Sequence, residues 1–155
     1  TCPNRLNGDG CAFCAGAGTG FEAMSAAVSV TEQLTRTRQM ITRKYHANKY
    51  IAYFQNYTNT FLPPDRFRSY LMEATKIPGV VEISVSTRPD CVSAEYLDIM
   101  RDIRAMTGIQ MNVELGLQTA NYHTLQMIDR DMVLQNLSMQ YCGLKDILVF
   151  QSVPM

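Results

Sequence analysis

Charge is scarce in this chain. Of 155 residues only 18% are charged, and 14 Lys and Arg are balanced by 14 Asp and Glu. Soluble domains average roughly 25% charged. A net charge of zero argues against a purely electrostatic nucleic-acid binder, because phosphate contacts demand a basic surplus. Long apolar runs are also missing: none approaches the ~18 residues of a membrane span, so no membrane partner is expected. No basic stretch followed by an apolar one reads as a signal peptide, which leaves a cytoplasmic location as the expectation. The cysteine count, five, is odd, so a closed disulfide framework is not expected. What is plentiful is apolar surface. At 46% hydrophobic, the chain is not a disordered one, and its length suits one ordinary domain.

Three of the five cysteines, Cys2, Cys11 and Cys14, fall in the first 14 residues, in a glycine-rich stretch that runs to Gly20. A C-x-x-C pair lets two thiolates converge without strain, and a third can join from a loop whose glycines allow close backbone approach. Structural zinc takes four protein ligands. Three cysteines without an evident fourth suit an iron–sulfur cluster with one open iron. The alternative is a zinc knuckle completed by His46 or by a segment outside the chain.

From residue 31 the pattern is regular. Helices are expected over Thr31–Lys44, from Asp65 to the Ile77-Pro78-Gly79 stop, from Ser93 to Gly108, and from Tyr122 to Tyr141, closed by Gly143. Strands are expected over Lys49–Gln55, Val80–Ser86, Ile109–Leu117 and Asp146–Gln151. A strand–helix unit recurring about every 30 residues is the mark of parallel βα architecture. In such folds ligands bind at the carboxyl ends of the strands. There the sequence turns polar, at Gln55–Thr60, Ser86–Asp90 and Glu114–Thr119.

These stretches, read with Thr1-Cys2-Pro3-Asn4-Arg5, Gly10-Cys11-Ala12-Phe13-Cys14, Tyr50–Thr60, Ser86–Cys91 and Val113–Thr119, resemble the radical SAM superfamily. More narrowly, they resemble an uncharacterised bacterial subfamily related to the radical SAM half of the elongator-type tRNA-modifying enzymes. The likeness runs from residue 1 to about residue 130. It implies an α/β fold of the incomplete (β/α) barrel type, with about four parallel strands and flanking helices. Residues 1–20 would form the cluster-binding loop and 31–155 the βα repeats. The resemblance further implies that Cys2, Cys11 and Cys14 ligate a 4Fe–4S cluster. S-adenosylmethionine would chelate the fourth iron and be cleaved reductively to a 5′-deoxyadenosyl radical. Phe13 would lie beside the adenine. Gln55, Asn56, Thr58 and Asn59 would hold the methionine end, and Ser86, Arg88, Glu114 and Gln118 the ribose and carboxylate. Partners would be S-adenosylmethionine, a further substrate and an electron-donor protein.

Other readings stand beside these. Arg88 is suited to binding a carboxylate bidentately, and Glu114, within an otherwise apolar strand, is either a ribose ligand or the partner of Arg88. Cys91 and Cys142 read as structural thiols. Arg36, Arg38, Arg43 and Lys44 read as a solvated face, with an RNA-facing stripe as the alternative. Without a first strand the sheet would have two exposed edges, so the chain is expected to be a fragment or to be completed by another chain. A non-catalytic metal-binding scaffold is the competing function.

Overall fold

A computed structural model describes residues 2–14, 24–130 and 148–152. The expected helix over 131–141, Gly143 and Cys142 lie outside them, as does the glycine-rich run from 15 to 20.

Three strands form the body of the sheet: β1 (Tyr50–Phe54), β2 (Val80–Thr87) and β3 (Gln110–Gly116). β4 (Leu148–Ser152) runs along the far side of β3, so the order is β1-β2-β3-β4 and every pairing is parallel. The helices between them are α3 (Pro64–Thr75) and α4 (Ala94–Thr107); α2 (Val30–Tyr45) precedes β1. Parallel neighbours need crossovers, and crossovers are right-handed. Strands that always advance in one direction therefore place α3 and α4 on the same face.

Register shows what that face is made of. Ala52 lies opposite Ile83, Phe54 opposite Val85, Ile83 opposite Met111, Val85 opposite Val113 and Thr87 opposite Leu115. Because side chains alternate along a strand, these residues share one surface. Nearly all are buried, together with Phe67, Leu71 and Ala74 of α3 and Leu97, Met100 and Ile103 of α4. The spacings 67-71-74 and 97-100-103 are one helical stripe each. Phe67 and Tyr96 meet edge to face, with centroids 5.2 Å apart, where the two helices pack. α2 buries no residue completely; Val30 and Leu34 lean on the core.

The helix ends follow local chemistry. Ser29 accepts a hydrogen bond from the Glu32 amide at 3.2 Å and starts α2. Gly108, at φ 73°, closes α4 in the left-handed conformation. Ser93 occupies the N-cap position of α4, but its side chain makes no capping bond.

The opposite face of the sheet is polar. Tyr53, Glu82, Ser84, Ser86, Asn112 and Glu114 line it, in register across three strands. Parallel strands are ordinarily apolar on both faces because helices cover both. Here α3 and α4 cover one.

The incomplete barrel of about four strands is not what these strands make. A barrel needs its first and last strands to pair, with a consistent stagger. Among the described residues β1 pairs with β2 alone and β4 with β3 alone, leaving a small, open parallel sheet with flanking helices. The βα period reports alternation of elements. It does not report curvature.

Candidate functional site

The carboxyl ends of the strands gather the loops that the sequence singles out. After β1, the Asn59 side-chain amide donates to the carbonyls of Phe54 and Ser86, both at 2.8 Å, and so ties the ends of β1 and β2 together. Thr60, in the turn after β1, and Thr87, at the end of β2, share a buried hydroxyl contact of 2.6 Å. Thr58 is buried. Asn56 is half-buried and its Oδ1 is buried without a hydrogen-bond partner; Gln55 is exposed. Tyr57 sits at φ 61° and Gln118 at φ 67°, a left-handed conformation that is uncommon for non-glycine residues and concentrates at functional sites.

The cysteine segment is not only loop. Pro3–Asn7 forms a short helix, α1, with Pro3 at its first position, where a missing N–H does no harm. This helix places Asn4 inward, 8% exposed, between two cysteines. Its amide donates to Cys11 Sγ at 3.3 Å and to the Asp129 carbonyl at 2.9 Å, and its Oδ1 accepts from Arg88 Nη1. The same nitrogen of Arg88 lies 4.0 Å from Cys2 Sγ. The remaining fork of Arg88 meets Asp90 at 2.9 and 2.6 Å. The bidentate carboxylate partner expected for Arg88 is thus Asp90. Glu114 pairs elsewhere, accepting from the Tyr53 hydroxyl at 2.7 Å.

The thiols differ chemically. Burial pushes the Cys2 thiol up. Hydrogen bonds from the Thr58 side chain, the Asn4 backbone and Arg88, with the charge of Arg88, outweigh it, and the thiol ends below its ordinary value. Cys91 is pushed up to about 11 by burial and then by Asp90, with Cys2 adding to the rise. Cys11 is buried. Cys14 is half-buried, and its carbonyl accepts from Arg5 at 2.9 Å. All four are free thiols. Phe13, 45% exposed, lies under the guanidinium of Arg130 at 5.9 Å.

Among the described residues, no three His, Cys, Asp or Glu side chains are close enough to hold a single metal ion. Thiolates on one zinc, with bonds of about 2.3 Å, would stand roughly 4 Å apart. A cluster that takes one cysteine per iron spreads its ligands more widely. The donors here fit such a group by chemistry: three sulfurs on one segment, with guanidinium groups from Arg88 and Arg130 facing two of them.

Asn4, Asp90, Thr58 as a cysteine partner, and Arg130 are the residues that sequence reasoning missed in these roles. The polar side chain two places after Cys2 was the one available signal for Asn4. α5 (Tyr122–Met127), capped by Asn121 accepting from Thr124 at 3.2 Å, stops at Ile128 rather than continuing, and so delivers Arg130 to Cys11.

Fold and site together define a parallel α/β protein whose strand ends carry a cysteine segment held by buried arginines. No family model matches the chain. It is 38% identical over 133 residues to protein YhcC of Escherichia coli K12, covering 84% of this chain and 41% of that protein. It is 36% identical over 132 residues to the uncharacterized protein YtqA of Bacillus subtilis, covering 83% and 40%. It is 30% identical over 131 residues to the uncharacterized protein MJ0486 of Methanocaldococcus jannaschii, covering 83% and 40%. The chain thus spans about two fifths of the length of these relatives. Among the described residues, no helix is long and apolar enough to cross a membrane.

Proposed function

We propose that this chain is an iron–sulfur enzyme core of the radical SAM type, in which Cys2, Cys11 and Cys14 hold a 4Fe–4S cluster that binds S-adenosylmethionine. The observation that carries this reading is the pair of buried arginines directed at two of the three cysteine sulfurs, Arg88 at Cys2 and Arg130 at Cys11. A guanidinium beside a cysteine sulfur favours the thiolate, the form that ligates a metal group. A cluster held by Cys2, Cys11 and Cys14 would pass one electron from a donor protein to S-adenosylmethionine, cleaving its S–C5′ bond to methionine and a 5′-deoxyadenosyl radical.

The chain's own residues do the rest. Asn4 and Arg88 fix Cys2 and Cys11 relative to the end of β2. Asn56, with its unpartnered buried carbonyl oxygen, offers an acceptor to an amino group at the end of β1. Ser86 and Glu114 offer a hydroxyl and a carboxylate to ribose hydroxyls, Gln118 a side-chain amide at the end of β3, and Phe13 an aromatic face. Arg88, already engaged by Asp90, acts in this reading on the cysteine segment. A substrate and an electron-donor protein complete the partners, in the reducing cytoplasm where free thiols persist.

The experiment is anaerobic incubation of the reconstituted full chain with dithionite and S-adenosylmethionine. Release of 5′-deoxyadenosine and methionine is expected, and its loss in Cys11→Ala and Cys14→Ala. A protein that takes up zinc without iron and has no affinity for S-adenosylmethionine would contradict the reading and favour a metal-binding scaffold.

A further inference from the structure

Residues 128–130 meet the cysteine segment at three points. The Ala12 amide donates to the Ile128 carbonyl at 2.9 Å, the Asn4 side chain donates to the Asp129 carbonyl at 2.9 Å, and Arg130 Nη1 lies 3.6 Å from Cys11 Sγ. The turn that makes this possible has Asp129 at φ 50° and is closed by the Arg130 amide on the Leu125 carbonyl at 2.8 Å. Arg130 is 9% exposed. Its second terminal nitrogen donates to the Gly116 carbonyl at the end of β3, at 2.5 Å, and its plane lies over Phe13. One guanidinium therefore joins the last residue of a core strand to a cysteine sulfur and to the aromatic residue between Cys11 and Cys14.

We infer that Arg130 is a positioning residue: it locks Cys11 to the end of β3 and, by donating to that sulfur, sets the reduction potential of the iron–sulfur group that Cys11 holds. The second half of this inference rests on the function proposed above; the first does not. The physical basis is directional. A planar guanidinium presents donors along two fixed directions, so it reaches a carbonyl and a sulfur at once, which an ammonium on a flexible stem does not. A charged donor on a ligating sulfur stabilises the extra negative charge of the reduced cluster and raises its potential.

The test uses the full chain as wild type, Arg130→Met and Arg130→Lys. After anaerobic reconstitution, Arg130→Met is expected to bind iron and sulfide in the wild-type ratio but to be reduced at a more negative potential, with Arg130→Lys recovering part of the shift through its charge. In cluster-free protein, hydrogen exchange at the Ala12 amide is expected to quicken about tenfold in Arg130→Met, the effect of losing roughly one hydrogen bond's support. A wild-type potential in Arg130→Met would overturn the tuning, and unchanged Ala12 exchange would overturn the lock. If Arg130→Met does not fold, the same two measurements on Arg130→Gln decide, since glutamine loses both the charge and the fork. If wild type forms no cluster, the proposed function fails while the exchange experiment still decides the lock.

Discussion

Asn4 donates its side-chain amide to the sulfur of Cys11 across 3.3 Å, while the Oδ1 of the same side chain accepts from Arg88. A neutral amide thus connects Cys11, Arg88 and the Asp129 carbonyl, which are far apart in the chain. It is buried, and each of its polar atoms is engaged. Replacing Asn4 by Ala strands the Asp129 carbonyl and one donor of Arg88. A loss of about 1–3 kcal/mol in stability is expected, together with lower iron content after reconstitution. Thermal unfolding and iron analysis read the two effects separately.

Asp90→Ala removes the carboxylate that accepts from two nitrogens of Arg88, a side chain only 4% exposed. Asp90 is itself 25% exposed, so water screens part of the pair, and the loss expected is about 1.5–3 kcal/mol, that of hydrogen bonds to a charged group. Denaturant unfolding should show that loss, and an unchanged midpoint would mean that the other partners of Arg88 suffice to hold it.

The two ends of the Cys2–Cys91 pair should react differently. In cluster-free protein near neutral pH, Cys2, whose pKa is lowered, carries more thiolate than Cys91, whose pKa rises to about 11. Alkylation followed by peptide mass mapping should therefore modify Cys2 before Cys91.

Tyr53 supplies the pH dependence. Burial first, and then the hydrogen bond and charge of Glu114, raise its hydroxyl to about 12. The folded state therefore holds this proton more tightly than the unfolded chain, which titrates near 10. Stability from the pair is fully present below pH about 10 and is lost as the pH rises through 10 toward about 12. Phenolate absorbance should show a late-titrating fraction that includes Tyr53, and Glu114→Gln should bring the Tyr53 part of it earlier.

Gly79→Ala tests the turn into β2. At φ 87° a side chain is strained, and its Cβ would stand 2.7 Å from the Asn48 carbonyl oxygen. A loss of at least about 1–2 kcal/mol is expected in thermal unfolding.

Much of this architecture is legible in local pattern. Phe67, Leu71 and Ala74 recur at helical spacing, and Ile83, Val85, Met111, Val113 and Leu115 alternate as strand residues do. The same alternation carries the polar face, since Glu82, Ser84 and Ser86 occupy every second place of β2. Closure was not legible. It depends on whether distant strands pair, and no period along the chain encodes that. The site was legible as a set of strand ends and cysteines, but not as a set of contacts. Cys11 and Arg130 are 119 residues apart, and only the early end of α5 brings them together. Asn59 reads as a ligand-binding residue because its position follows a strand; the structure adds that its amide staples two strand ends. A polar residue at a strand end serves either purpose, and only geometry separates them.

The central claim is that Cys2, Cys11 and Cys14 share one iron–sulfur group. Iron and acid-labile sulfide, counted per chain after anaerobic reconstitution of wild type and of the three single Cys→Ala variants, test it most directly. The account predicts a wild-type protein with near-equal amounts of both and a cluster absorbance that each substitution abolishes. A cluster that survives Cys11→Ala, or a wild type that binds no iron, would contradict it.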